Sequence, residues 1–394
     1  MRAAAASLGL LILTQAAPSR LSAVRVAAPL PVSRPAPASQ DPAARARDSY
    51  TRAIALEAEG NHLAALALLW EAAGHAPKDA DIQNRLGEAL DRIGALDAAI
   101  NAFREALAAR PTFRAAANNL ILTLVKAGRG PEAVERARAI VAAAPADPDA
   151  LFTLGLAQTE QDVTQAIETF RRVIEMSPRH VLARYNLALV LKRMDRMTDA
   201  VDELTAAIRI EPRPEAHYTL GVIHWQRGNL SGAIDALRAA VALAPQYADA
   251  HYTLGAVLHA RRNWNEAAEA LRRAVALRRD LWSAQYLLGR VLEQSGDEAG
   301  GRAQVAAAER LRKRAALEHE ASVATSVGTQ RLDEGDARGA VDQFRRAITI
   351  YEPYAPAHYQ LGRALQRLGE HNAARAAFHR AQQLNPSLVP PPSR

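Results

Sequence analysis

Apolar residues return at helical spacing along most of the chain, in pairs of short stretches. Between Ala248 and Ala260 they fall at Ala250, Leu254, Val257 and Leu258; between Ala267 and Leu277 they fall at Ala267, Leu271, Ala274 and Val275. Positions three and four apart lie on one face of a helix, so each stretch predicts an amphipathic helix. The polar Arg261-Arg262-Asn263 between them is long enough only for a tight turn. The unit is therefore an antiparallel helix hairpin. No stretch alternates with the period of a strand, and the predicted fold is all-α. Gly255 stands inside the first helix, where it costs about 1 kcal/mol against Ala. That cost is explained if a backbone approaches closely, and Ala267 on the partner helix is the expected small surface opposite.

The hairpin is written repeatedly. Tyr218, Leu220, Gly221, Ala233, Leu237 and Ala240 recur 34 residues later as Tyr252, Leu254, Gly255, Ala267, Leu271 and Ala274. Prolines close successive units at Pro77, Pro111, Pro145, Pro178, Pro212 and Pro245, in steps of 34, 34, 33, 34 and 33. Glycines mark inner turns at Gly60, Gly94, Gly128, Gly228, Gly296, Gly335 and Gly369. Ten units follow, beginning near Ala46, Ala80, Arg114, Pro148, Val181, Pro214, Ala248, Trp282, Ala321 and Ala355. A Leu-Gly pair recurs in the first helix, for example Leu86-Gly87, Leu154-Gly155, Leu288-Gly289 and Leu361-Gly362. The second helix carries a small residue and, four later, a large one: Ala99 and Phe103, Ala166 and Phe170, Ala340 and Phe344, Ala374 and Phe378. With this period and these residues, the chain from Ala46 to Pro386 resembles the tetratricopeptide repeat. The resemblance implies a right-handed superhelical solenoid whose first helices line a concave groove that takes a peptide or protein segment. Departures stand out at two places in the pattern: Ala53, Ile121 and Ala188 occupy the Gly position, and Arg279 replaces a closing Pro.

One interval breaks the period. Gly296 and Gly335 are 39 residues apart, and the segment around 310–320 is either a lengthened helix or a connecting loop. It carries a small basic cluster, Arg310, Arg312, Lys313 and Arg314. The expected organisation is units one to eight over 46–320, with this joint at the end, then units nine and ten over 321–388 and a disordered tail over 389–394. At the other end Arg2 precedes an apolar run from Ala3 to Leu13, then small residues at Ala16 and Ala17. That order predicts a secretory signal over 1–17 and a periplasmic or extracellular protein, cytoplasmic if the signal reading fails. Residues 18–45 contain six prolines and read as a disordered tether.

Composition narrows the function. Only 5% of residues are aromatic against 49% hydrophobic, which suits thin Ala-rich helices packed closely. The net charge of +7 is scattered as outward Arg, so it describes a solvated surface before a nucleic-acid footprint. There is no Cys, so no disulfide and no thiol nucleophile. No Gly-rich phosphate loop or nucleophile elbow is present, and no catalytic residue, cofactor or small-molecule substrate is expected. His217 and His224 are seven apart, and His251 and His259 eight apart. Two helical turns, about 10 Å, are too far for one metal, so no metal site is expected.

What remains is the groove. Tyr185, Tyr218, Tyr252, Tyr286 and Tyr359 recur three residues before the Gly position, with Tyr50 and Phe152 in the same register. Two turns further on come Lys192, Trp225, His259, Glu293 and Gln366. The candidate groove is Tyr185, Lys192, His217, Tyr218, Trp225, His251, Tyr252, His259 and Tyr286, with Trp225 as the best anchor. Tyr at this register also packs adjacent first helices together, and both roles are open. Arg85, Asn119 and Asn186 do not complete the clamp with which some family members grip a C-terminal carboxylate. The leading expectation is a non-catalytic scaffold acting in envelope assembly or secretion. Its rivals are an accessory repeat subunit of an enzyme complex such as a glycosyltransferase, and a basic nucleic-acid-binding solenoid. The repeats are expected to run to Pro386, which leaves no stretch for a separate catalytic domain. Self-association through the helix Ala373–Leu384 is a further expectation.

Overall fold

The computed structural model describes residues 41–385 and 388. The expected signal, most of the tether and the 389–394 tail lie outside the described residues. Nineteen α-helices and no strand occur among the described residues. They belong to two compact bodies, Met1–Gln246 and Tyr247–Arg394.

In the first body the helices pair as six hairpins: α1 (Pro42–Ala58) with α2 (His62–His75), α3 (Ala80–Arg92) with α4 (Leu96–Ala109), α5 (Arg114–Lys126) with α6 (Gly130–Ala143), α7 (Pro148–Gln158) with α8 (Val163–Met176), α9 (Val181–Arg193) with α10 (Met197–Ile210), and α11 (Pro214–Gln226) with α12 (Leu230–Leu243). The second body holds α13 (Ala248–Ala260), α14 (Trp264–Leu277), α15 (Trp282–Gln294), α16 (Glu298–Asp333), α17 (Ala337–Ile350), α18 (Ala355–Arg367) and α19 (His371–Leu384). The first unit opens four residues earlier than the sequence suggests, and the tether loses 42–45 to it. Asp41 is the reason: its side chain accepts from Ala43 N at 3.0 Å, and Pro42 sits at the first helical position. The 310–320 segment is helix. It joins the second helix of unit eight to the first helix of unit nine as the 36-residue α16. The division into two bodies therefore falls at Gln246, where a proline loop ends a unit, and not at that segment.

Inside each hairpin the Gly position is a socket for a ring or a Leu. A Cβ on Gly87 would lie 2.5 Å from Phe103, one on Gly155 2.6 Å from Phe170, and one on Gly362 2.7 Å from Phe378. At Gly255 the nearest atoms are Leu271 Cγ at 2.6 Å and the Ala267 carbonyl at 3.2 Å. The expected Gly255–Ala267 contact is thus a contact with the Ala267 backbone, and the side chain that fills the space is Leu271. This explains the departures. Where Ile121 replaces Gly, the residue sixteen later is Ala137, and both are fully buried. Large and small trade places and the pair keeps its volume, which cores tolerate. Ala53 with Leu69 and Ala188 with Leu204 are intermediate cases, again fully buried.

All the turns between paired helices except that between α7 and α8 use a left-handed residue. Gly60, Gly94, Gly128, Gly228, Gly296, Gly335 and Gly369 all have positive φ, and Asp195 (φ 60°) and Arg262 (φ 63°) do the same without being Gly. A left-handed conformation strains a long L side chain. Arg262→Gly is expected to stabilise the second body by about 0.5–1 kcal/mol, the strain relieved less the entropy that Gly adds to the unfolded chain. Urea unfolding of the two proteins measures it, and an unchanged or lower midpoint would contradict the strain.

Units are tied to each other at a second recurrent place. The fourth residue of a unit reaches back six residues to a carbonyl in the preceding loop: Gln83 Nε2 to Pro77 O at 3.0 Å, Arg184 Nε to Pro178 O at 3.2 Å, Gln285 Nε2 to Arg279 O at 3.0 Å, and His358 Nε2 to Glu352 O at 2.9 Å. The third of these holds the loop where Arg279 stands in for Pro, and α14 still ends at Leu277. The outward side chains of α19 are mostly polar: His371, Asn372, Arg375, His379 and Gln382 are exposed.

Candidate functional site

The first helices carry side chains of neighbouring units toward one another, and a ladder runs between them. The twelfth residue of one unit meets the thirteenth of the next. Arg92 Nη1 donates to Glu57 Oε1 at 3.0 Å, and Lys126 Nζ to Asp91 Oδ2 at 2.6 Å. Arg193 donates to the Thr159 carbonyl and, at 2.8 Å, to Glu160 Oε1. In the second body His259 Nε2 donates to Gln294 Oε1 at 3.0 Å, and Arg367 donates to the Leu332 carbonyl. The ladder was missed in the sequence because most of its partners sit one residue beyond the period, 35 apart, and are chemically diverse.

In units one to three this surface is occupied by the protein's own charges. The Glu57 carboxylate, almost wholly covered, also accepts from Arg85 Nε at 2.7 Å. Arg85 Nη1 donates onward to Glu88 at 3.1 Å, and Asn119 Nδ2 to Asn84 at 3.2 Å and Glu88 at 3.1 Å. Thr123 Oγ1 donates to Asp91 at 3.1 Å. Asn186 spends its amide on the Leu182 carbonyl at 2.9 Å. Arg85, Asn119 and Asn186 are therefore internal ties.

Units five and six differ. Lys192 on α9 occupies the rung where Glu57 and Asp91 stand in earlier units. It is half-buried, burial holds its ammonium below the ordinary lysine pKa, and no carboxylate pairs with it among the described residues. Trp225 occupies the same register on the neighbouring first helix α11, with 37% of its surface exposed. A desolvated cation without a counter-ion, with an exposed indole at the same register of the next first helix, can receive a carboxylate and an apolar group of one extended segment.

The other predicted residues of the first body play different parts. Tyr185, only 4% exposed, lies between α9 and α11, with its hydroxyl 3.5 Å from Thr219 Oγ1, and burial pushes its pKa up. Tyr218 is buried as well. Both are packing residues at which a ligand would find little surface. His217 stands at the fourth position of its unit, the register that elsewhere ties the preceding loop; it is half-buried and burial lowers its pKa. In the second body His251 shares that loop-tying register, and Tyr252 is half-buried. His259 serves the ladder and packs 5.3 Å from the Trp264 ring. Tyr286 is 45% exposed. In the first body, Trp225 and Lys192 are thus the predicted groove residues with exposure or charge to offer and no internal use for it; in the second body Tyr286 is the exposed one.

Three family models, each described as tetratricopeptide repeat, match the chain: one over residues 50–112, 118–162, 158–213 and 190–248, a second over 224–290 and a third over 355–388. Among solved structures, a MamA fragment from Desulfovibrio magneticus RS-1 is 26% identical, covering 42% of this chain and 95% of its own, with a TM-score of 0.37. TTC0263, a tetratricopeptide repeat protein from Thermus thermophilus, is 24% identical over 46% of this chain and 99% of its own, with a TM-score of 0.41. A tetratricopeptide repeat protein from Parabacteroides merdae ATCC 43184 is 17% identical over 63% of this chain and 99% of its own, with a TM-score of 0.48.

Proposed function

The chain belongs to the tetratricopeptide repeat family, and from that premise we propose that it is a non-catalytic scaffold that holds a protein segment against the first helices of units five and six. The observation that carries the reading is Lys192. At three other junctions of the first body the ladder rung is filled by an acid or a carbonyl with a cation of the next unit; between units three and four the apolar Val125 takes its place. Here the chain supplies a cation, covers it and gives it no acid. A ligand carboxylate restores the missing pair, and an adjacent apolar side chain covers Trp225. The partner is then an extended segment that carries an acidic group next to an apolar one. The apolar run Ala3–Leu13 supports export, and with it a role among envelope or secreted components. A native protein that keeps Met1 in a cytoplasmic fraction would end that part of the reading.

The binding test begins with crosslinking in cells to recover the partner, followed by calorimetry on the full chain. Trp225→Ala is expected to weaken binding by about 2 kcal/mol, about thirtyfold, with helix content unchanged by circular dichroism. Lys192→Met should weaken it too and remove most of its salt dependence. Because the folded-state pKa of Lys192 is depressed, its charge is lost as pH rises through that lowered value, and binding weakens in the same direction. If both variants bind as the parent does, the site lies elsewhere.

A further inference from the structure

Repeat stacking is interrupted once inside the second body, and the interruption leaves two matching faces bare. In a stacked unit the first helix lies over the preceding unit. Its third residue is then fully covered, as at Ala116, Ala183, Ala284 and Ala357, and its seventh nearly so, as at Leu86 and Leu288. In unit nine the third and seventh residues are Val323 and Val327, exposed by 53% and 41%. Ser326 and Gln330 beside them are not buried, so the bare stripe runs 323, 326, 327, 330 along one face of α16. The opposite half of the same interface is bare on unit eight. Tyr286 and Trp282 on α15 are exposed there, and so is Arg290. The equivalent of Tyr286 in unit five, Tyr185, is covered by the next first helix.

The cause is α16. Its first half packs on α15 and its second half on α17 and α18, so unit nine continues along the helix instead of folding back over unit eight. The stretch from Arg312 to Ala321 has no Gly or Pro and consists mainly of Ala, Leu, Glu, Lys and Arg, all strong helix formers. Nothing in it invites a break, and the two faces of one chain stay apart.

We propose that a second copy of the chain covers both. In this arrangement units nine and ten are exchanged: the Val323–Val327 face of each copy stacks on the Tyr286 face of the other, and the two α16 helices cross antiparallel. A two-fold dimer requires that one chain carry both halves of the contact, and this chain does. Charge order agrees with the antiparallel crossing. Arg310, Arg312, Lys313 and Arg314 precede Glu318 and Glu320, so the basic stretch of one copy lies against the acidic stretch of the other. The exposed Ala315 falls at the crossing with Ala316 beside it, where small residues let backbones approach.

The register supplies a test. Between stacked first helices Asn84 meets Asn119 at 3.2 Å and Tyr185 meets Thr219 at 3.5 Å. The same repeat positions pair Tyr286 with Ser326. The chain has no Cys, so Tyr286→Cys and Ser326→Cys report alone. Sedimentation of the unmodified full chain should give a dimer. The double variant, oxidised, should run as a covalent dimer on a non-reducing gel, and a mixture of the two single variants should form a covalent heterodimer. Val327→Arg should shift sedimentation toward monomer with helix content retained. A monomer at tens of micromolar, an internal link within one chain, or a dimer whose cysteines do not join would each overturn the exchange.

Discussion

Phe170→Ala is expected to cost about 3–5 kcal/mol, the usual range for truncating a buried aromatic side chain. Phe170 is completely buried, its ring stands over the backbone of Gly155, and it meets Phe152 at 5.9 Å between centroids. The cavity cannot close from the facing side, because Gly155 has no side chain to move into it. Loss of stability in a stack of repeats is shared mainly between neighbours. Amide exchange should therefore quicken in α7 to α9 well before α1 and α2. An even quickening along the first body would show that the units do not behave as separate cooperative elements.

Gly255→Leu is expected to be nearly as damaging, about 3 kcal/mol, by overfilling the same kind of socket. The first added carbon alone would sit 2.6 Å from Leu271 Cγ and 3.2 Å from the carbonyl of Ala267. The side chain can turn away, but the carbonyl belongs to α14 and moves only if the hairpin opens. The chain itself indicates the remedy. Unit three places Ile121 where the Gly belongs and Ala137 where the large residue belongs. Adding Leu271→Ala to Gly255→Leu should then recover most of the loss, a strong coupling of the kind that contacting residues show. Denaturant unfolding of the four proteins of the cycle measures this. Additive losses would mean that Gly255 is required for some other reason than the room it leaves for Leu271.

The hairpin, its period and the family were legible in the sequence, because they depend on local properties repeated many times. Helical spacing of Ala and Leu, a Gly in most first helices and a Pro after most second helices act within a few residues, and recurrence turns weak preferences into a pattern. The same locality explains what the sequence left open. A Tyr at a fixed register can face a ligand or a neighbouring helix, and only the stack decided that Tyr185 and Tyr218 are covered while Tyr286 is not. The ladder of Glu57 with Arg92 and Asp91 with Lys126 joins residues that no local rule connects. Lys192 became informative only against that ladder, since an unpaired lysine is ordinary until its neighbours show where an acid should stand. The segment 310–320 allowed two readings because Ala, Glu, Arg and Lys suit both a helix and a solvated linker. Tertiary packing settled it: helices α15 and α17 hold the two ends of α16, and a helix is what joins them.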